Sequence, residues 1–382
     1  MAKSTINIAL IGQKFMGKAH SNAWLKVAKF FDLPVEPIMH TVVGRNKEEL
    51  KTFAARWGWQ NHSTDWKKVI SDPAIDLVDI GTPNNLHETI ALAALKAGKA
   101  VACEKPLANT FQAAKNMVTA AKKSHKPTFV WFNYRRVPAL ALARQIINEG
   151  RLGKIYHVRA QYLQDWGGPE TPLVWRFNKK LAGSGAHGDL NAHIVDIARF
   201  LTNQEITEVS GMAETFIKER PLPENPKKKG KSTVDDAVLF LARFTGGAIG
   251  SFEATRVATG NKNGNQIEIN GEKGSLYFNF EQMNELMFYD ASLPQHLQGW
   301  TNILATSPGS HPYFYAWWPD AHIIGYEHTF VNMAADICKM LGGKKPEVPM
   351  PDFEDALKTQ QVLDAALLSA AKKTWIKVNS IK

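Results

Sequence analysis

The sequence predicts two domains of different class: a doubly wound α/β domain, then an α+β domain dominated by a large, mostly antiparallel sheet. Three observations carry that prediction. A length of 382 residues exceeds one average domain and suits two. Apolar strand-like runs alternate with helical apolar spacing from Ile6 to Arg136, as parallel βαβ units require. After Gly153 the pattern becomes half-solvated alternation and short strands joined by Gly/Asn turns.

The elements follow in order. INIALIG (6–12) is a short apolar run ended by glycine, and KAHSNAWLKVAKFF (18–31) has helical apolar spacing. PIMHTVVG (37–44) reads as a second strand and KEELKTFAARWG (47–58) as a helix stopped at Gly58. IDLVDIGTP (75–83) has apolar residues on both faces, as a buried parallel strand needs. A helix (86–99), a fourth strand AVACEKP (100–106), a helix (110–125) and a strand PTFVWFNYRR (127–136) complete the alternation. A helix (137–153) leads to KIYHVRAQYLQDW (154–166), which alternates as a half-solvated strand does. One helix (185–201) precedes strands at 206–217, 236–244, 247–256, 265–271 and 274–280, and a final helix covers 352–372.

Composition narrows the function classes. Hydrophobic residues at 44% and charged residues at 21% describe an ordinary globular chain with ample core. No apolar run approaches the roughly 18–20 residues of a membrane span. The opening MAKSTINIALIG lacks the apolar stretch and cleavage site of a secretory leader, so the chain reads as cytoplasmic. Cys103 and Cys338 form neither a disulfide framework nor metal-site spacing, and no metal is expected. The net charge of +10 is partly concentrated in NPKKKGKS (225–232), read as a solvated loop tip. Without an aromatic-interleaved basic motif or zinc-finger spacing, nucleic acid is a poor partner. The remaining excess would weakly favour an anionic cofactor or substrate.

Several motifs carry chemistry. GQKFMG (12–17) follows the first strand and opens a helix, the setting of a dinucleotide loop. Gly12 suits the tight turn and Gly17 the close helix–strand approach, while Phe15 and Met16 complete the loop. Lys14 replaces the usual middle glycine, either offering charge to a phosphate or pointing to solvent. The acid that usually ends the second strand of a NAD site is replaced by Gly44-Arg45. That suits the 2′-phosphate of NADP, yet Arg45 stacked on adenine would leave NAD acceptable. In GTPNNLHE (81–88), small and amide side chains cap the third strand; Asn84 and Asn85 could contact ribose or nicotinamide, or simply cap a helix.

Glu104-Lys105-Pro106 ends the fourth strand. The proline removes a donor, restricts Lys105 and permits a cis bond. Such a turn would hold the Lys105 ammonium at the strand edge where open α/β sheets bind ligands; a solvated charge pair before a helix is the alternative. Further on, Asp189, His193 and Asp196 are spaced i, i+4, i+7 on one helix face beside apolar Leu190, Ile194, Ile197 and Leu201. A histidine beside an apolar stripe is usually a satisfied core residue. An imidazole one turn after an aspartate also suits proton exchange with an alcohol near neutral pH.

Taken together, GQKFMG, GTPNNLH, Glu104-Lys105-Pro106, FNYRR (132–136) and GDLNAH (188–193) make the chain resemble the glucose–fructose oxidoreductase / inositol dehydrogenase (Gfo/Idh/MocA) family over almost its whole length. The resemblance implies an N-terminal Rossmann domain (1–130) that binds NAD, with NADP possible. It implies a C-terminal substrate domain (131–351) with an open sheet that often serves as the interface of a homo-oligomer (dimer or tetramer). The final helix (352–372) would pack back on the first domain. Lys105 is then placed beside the nicotinamide and the reacting carbinol, His193 transfers the proton and Asp189 positions the substrate. The cofactor residues would be Gly12, Lys14, Phe15, Met16, Gly17, Gly44, Arg45, Thr82, Pro83, Asn84, His87, Glu104, Lys105 and Asn133.

The stretches FNYRR, YLQDWGG (162–168) and HIIGYEH (322–328), with Trp175 and Arg176, resemble a branch acting on sugars, anhydrosugars or glycosides. Aromatic rings such as Trp166, Trp175 and Tyr134 could stack on a pyranose face. Arg136 and Arg176 could bind a carboxylate, phosphate or sulfonate. His187 and Asn191 stand where many members carry apolar or small residues, so an unusually polar pocket is expected. The first reading is therefore a nicotinamide-dependent dehydrogenase acting on a ring hydroxyl of a sugar, anhydrosugar, glycoside or cyclitol. The second is a glycosidase that oxidises C3 transiently, supported by extra polar groups in Asp165, Tyr134, His187, Asn191 and His322. A nucleotide-sensing regulator without activity is a third, disfavoured by intact Lys105, Asp189 and His193.

Overall fold

Residues 4–382 are described in a computed structural model. The chain starts with β1 (Ser4–Ile11), α1 (Phe15–Phe30), β2 (Val35–Val43), α2 (Lys47–Trp57), β3 (Asn61–Ser63), α3 (Trp66–Ser71) and β4 (Leu77–Ile80). Next come α4 (His87–Lys96), β5 (Ala100–Cys103), α5 (Phe111–Ser124) and β6 (Thr128–Val130). These strands form one 6-stranded sheet in the order β3-β2-β1-β4-β5-β6, all pairs parallel. β4 and β5 are buried along their whole length, which explains their unbroken apolar runs. Strand order reverses between β1 and β4, so a crevice opens above their carboxyl ends.

The second half contains α6 (Pro138–Asn148), β7 (Ile155–Leu163), α7 (Lys179–Ala182) and α8 (Ala192–Thr202). The strands β8 (Ile206–Glu214), β9 (Glu219–Leu222), β10 (Asn225–Lys231), β11 (Ala237–Phe244) and β12 (Ile249–Thr255) follow. After them come β13 (Gly264–Gly271), β14 (Gly274–Asn279), β15 (Glu285–Asp290), β16 (Trp300–Leu304), α9 (Tyr326–Leu341), α10 (Phe353–Lys372) and β17 (Ile376–Lys377). A 9-stranded sheet runs β16-β15-β14-β13-β7-β12-β11-β8-β17, antiparallel except for the β7–β12 pair. One face buries Val158, Phe240, Phe252 and Ile269, with α6 and α8 against it, while Leu239, Leu241 and Ile249 on the other face are exposed.

Some expectations needed correction. NPKKKGKS is not a loop tip: its first seven residues are β10, paired with β9 in a separate two-stranded ribbon. Every residue of that strand but Gly230 is exposed, so no side-chain alternation betrays it. The strand expected over 127–136 stops at Val130, and Asn133–Arg136 form a 3₁₀ turn. α10, capped by Asp352, packs on α5 and β6 of the first sheet's layer and more extensively on β8 and α8 of the second. Its entry is tied to β6 by Val130 N–H donating to Pro351 O at 2.8 Å.

Candidate active site

The first wall of the site is built by the strand ends. Gly12 has φ +124°, and a Cβ there would lie 2.5 Å from Gly81 O; one on Gly17 would lie 2.3 Å from Gly12 O. Glycine is therefore required for β1, β4 and α1 to close into one crevice. The crevice is the mouth of a cavity of about 1,250 Å³ that extends to the second sheet. Lys14, Phe15 and Met16 from the loop, and Gly44 and Arg45 after β2, line one end of it. Thr82, Pro83, Asn84, Glu104, Lys105 and Asn133 line its middle.

These residues suit a dinucleotide. Phe15, apolar, is 62% exposed on the cavity wall, and the buried Gln13 Oε1 and Thr82 Oγ1 have no partner of their own. Lys14 is engaged by Glu49 at 2.6 Å, an acid that the second-strand end itself lacks. Asn84 Nδ2 donates across to Ala182 O at 2.9 Å, and Asn133 Nδ2 to Thr329 Oγ1 at 2.7 Å, so both brace the cavity as well as lining it.

The second wall comes from α8 and the sheet behind it. His187–Asn191 form a single π-helical turn leading into α8, which swings Asp189 toward β5. Lys105, whose bond to Pro106 is cis, donates from Nζ to Asp189 O at 2.8 Å and to Asp189 Oδ1 at 3.0 Å. Arg256 Nη2 donates to the other carboxylate oxygen at 2.9 Å. Burial pushes the Asp189 carboxyl up, but the charges of Lys105, Arg256 and Arg176 outweigh it and hold it well below the usual carboxylate range.

His193 lines the same wall, stacked on Tyr134 with ring centroids 4.1 Å apart. Tyr134 O–H meets Tyr162 O–H at 3.0 Å, and Tyr162 donates to Asn263 Oδ1 at 2.7 Å. Burial first, and then the Lys105 charge, holds His193 well below the ordinary histidine range, against the pull of Asp189. The ring is thus neutral at pH 7, and its Nδ1 has no hydrogen-bond partner. Trp166, Trp175 and Arg176 form the outer rim, with the Arg176 guanidinium 4.5 Å from the Trp175 ring centre.

Other expected site residues lie elsewhere. Arg136 is fully buried and committed to Asp336 (3.1 Å) and Val348 O, so it is a core ion pair with no access to substrate. The polar pair His187 and Asn191 turns inward: Asn191 Nδ2 donates to His187 Nδ1 at 2.8 Å, and the other ring nitrogen donates to Leu363 O. Asp165 caps Gly260 and pairs with Lys262 at 2.6 Å, beside the cavity but not on it. His322 is exposed and bonds back to Pro319 O within its own loop. His87 is buried between Thr82 O and Pro106 O, linking two cavity turns from behind, and Gly17 likewise packs behind Gly12. Asp196 does not share the working face of Asp189 and His193, because the π turn breaks the register; it pairs with Arg135 in the core.

Sequence reasoning missed Arg256 and Asn263, and singled out neither Tyr162 nor Gln164. Arg256 follows β12 directly, and the parallel β7–β12 register (Thr255 opposite Leu163) brings it beside Gln164. Nothing local distinguishes that arginine from a surface one.

A doubly wound domain with a glycine-framed crevice and Lys105 at its strand edge, facing a second domain that supplies Asp189, Arg256 and a neutral His193, defines a dinucleotide-dependent oxidoreductase. Residues 6–132 match the family model described as oxidoreductase family, NAD-binding Rossmann fold, and residues 140–277 match the GFO/IDH/MocA C-terminal domain. The chain belongs to the GFO/IDH/MocA oxidoreductase family, and its cofactor is NAD. It is 42% identical to a levoglucosan dehydrogenase of Pseudarthrobacter phenanthrenivorans over 98% of this chain and 99% of that one. Among solved structures it is similar to an oxidoreductase domain protein from Kribbella flavida (TM-score 0.94, 50% identity, covering 98% of this chain and 99% of that one). A levoglucosan dehydrogenase in complex with NADH and levoglucosan matches with TM-score 0.93 and 43% identity over 98% of this chain and 100% of that one.

Proposed function

We propose that the chain oxidises a ring hydroxyl of a sugar-like substrate, an anhydropyranose above all, using Lys105, Asp189 and His193. The observation that carries this reading is a neutral, unpartnered His193 on the same wall as the Lys105–Asp189–Arg256 cluster. Bound NAD supplies the hydride acceptor. His193 takes the hydroxyl proton, which a neutral imidazole can do and an imidazolium cannot. The Lys105 ammonium stabilises negative charge developing on the substrate oxygen. Asp189, ionised by its two cations, fixes the Lys105 ammonium and offers an acceptor to a neighbouring hydroxyl. The Trp166 and Trp175 rings offer flat apolar surface to the sugar. The levoglucosan dehydrogenase relative supports an anhydrosugar as the first substrate to try.

The glycosidase reading depended on surplus polar groups around the sugar. Of the groups it drew on, His187, Asn191, Asp165 and His322 do not line the cavity and Tyr134 does, while Tyr162, Gln164, Arg256 and Asn263 are polar lining residues it did not count. The test is incubation with a panel of anhydrosugars, sugars, cyclitols and activated glycosides, following NADH absorbance together with product analysis. Stoichiometric NADH with a keto product is the expected result. Release of free sugar and aglycone at catalytic NAD, without net NADH, would favour the glycosidase.

A homo-oligomer through the second sheet is also proposed. Met212, Leu239, Leu241 and Ile249 form an exposed apolar strip across β8, β11 and β12, the kind of surface a second copy covers. Leu241→Asp is expected to lower the mass measured by light scattering; an unchanged mass would show that this face is not the interface.

A further inference from the structure

Behind Lys105 lies a second ionic cluster that hydride and proton transfer do not use. His20 Nδ1 faces both Asp79 oxygens at 3.1 Å, and Nε2 faces Glu104 Oε1 at 2.9 Å. Trp24 and Trp131 also donate to Asp79, at 2.8 and 2.9 Å, and Glu104 Oε2 accepts the Lys105 amide at 3.0 Å. The His20 and Asp79 side chains are 0% exposed and that of Glu104 is 5%. Trp131 stacks on His20 at 4.2 Å, so the cluster is dry.

Its charge follows from the geometry. With both ring nitrogens against carboxylate oxygens, each ring N–H donates to a carboxylate, so His20 is a cation between two anions and the three groups sum to one negative charge. Of the other charges nearby, Lys105 and Arg256 share Asp189 and leave one net positive charge, which the anionic group opposes, and burial keeps His87 neutral. Glu104 forms part of the cavity wall at the strand end that carries Lys105.

We propose that His20, Asp79 and Glu104 are a buried anionic group beneath the nicotinamide position, which makes the protein bind the oxidised cofactor more tightly, relative to the reduced one, than a neutral wall would. The oxidised ring is cationic and the reduced ring neutral, so only the first gains from a fixed negative charge in a low-dielectric wall. In the direction of substrate oxidation this favours release of NADH and its replacement by NAD, the step that limits many dehydrogenases. The proposal rests on the reading that the reacting ring lies against Lys105.

The test measures cofactor binding without any sugar, by calorimetry and NADH fluorescence, on the wild type, Glu104→Gln and Asp79→Asn. Both substitutions keep the side-chain shape and remove one charge; Asp79 does not touch the cavity, so its effect must travel as charge. The ratio Kd(NAD)/Kd(NADH) should rise on the order of tenfold in each variant. A ratio within about twofold of wild type would overturn the proposal, as would a parallel loss of both affinities, which is what a packing role gives. If Asp79→Asn does not fold, Glu104→Gln at the cavity wall still decides. Failure of the dehydrogenase reading would show separately, as no NADH from the sugar panel with a normal binding ratio.

Discussion

Two ionic clusters flank Lys105, and they differ in how fully their polar atoms are satisfied. Behind it, Asp79 accepts from His20, Trp24 and Trp131, and every side-chain donor and acceptor of the three groups has a partner. In front, Lys105, Asp189 and Arg256 face the cavity, while His193 Nδ1 and Arg256 Nε have no partner. Buried polar atoms left without partners are uncommon in folded proteins and concentrate where something binds. The closed cluster thus fixes the strand end, while the open one keeps unused bonding capacity at the cavity wall.

Breaking the open cluster should have the largest effect. Lys105→Ala and His193→Ala are each expected to lower kcat by about 10²–10⁴-fold, the range of positioned acid–base and electrostatic groups. NADH affinity and the thermal melt should stay near wild type, because neither side chain holds the fold together. Near-normal turnover in either variant would remove that residue from the mechanism.

Breaking the closed cluster should instead appear as lost stability. His20→Leu leaves two carboxylates facing each other without a cation, which costs about 3–5 kcal/mol in denaturant unfolding. The pH dependence follows in sign. Burial alone would pull His20 down, but Asp79 and Glu104 outweigh it and raise it from 6.5 to about 9. A raised folded-state pKa contributes stability that is fully present below 6.5 and is lost as pH rises through about 9. Wild-type stability should therefore decline across that window, and the decline should be shallower in His20→Leu. Parallel curves for the two proteins would show that the cluster does not carry the proton assigned to it.

The contrast also explains what the sequence disclosed. Gly12–Gly17, Gly81–Asn84 and Glu104–Pro106 were legible because each is a continuous segment at a strand end, and the parallel sheet brings those ends together by rule. The NAD-binding domain, the second sheet and the family followed from those pieces. Partners distant in sequence were not legible: Arg256 meets Asp189 across 67 positions, through a strand register that no local pattern encodes. His187 and Asn191 looked like pocket residues because they stand where many family members carry apolar or small residues, whereas the π turn folds them onto each other. α9 escaped notice although His328, Asn332, Asp336 and Lys339 recur at helical spacing; that stripe is not a solvent face, since Thr329 to Cys338 are all buried.

At the cavity rim the comparison can be sharpened. Trp175 offers ring surface but no group to the reacting oxygen. Trp175→Ala is expected to raise KM by about 3–10-fold with kcat nearly unchanged, the signature of binding shared by ground and transition states. An equal fall in kcat would place the ring closer to the chemistry than the rim.

The smallest effect is expected where the sequence suggested substrate contacts and the structure gives none. Asp165 is held by the Gly260 amide at 3.2 Å and by Lys262 at 2.6 Å, and that lysine is 76% exposed. Such an ion pair in solvent contributes little to stability, and neither partner faces the cavity. His322 bonds only to carbonyls of its own exposed loop, so its loss leaves no buried group unsatisfied. Asp165→Asn and His322→Ala should therefore keep kcat/KM for the preferred sugar within about twofold of wild type. If the catalytic domain closes further on substrate and draws either residue onto the sugar, the corresponding variant will lose at least about tenfold in kcat/KM, equivalent to about 1.4 kcal/mol of transition-state binding. That loss would return a polar group to the substrate and revive the glycosidase reading; its absence confines the chemistry to the open cluster around Lys105.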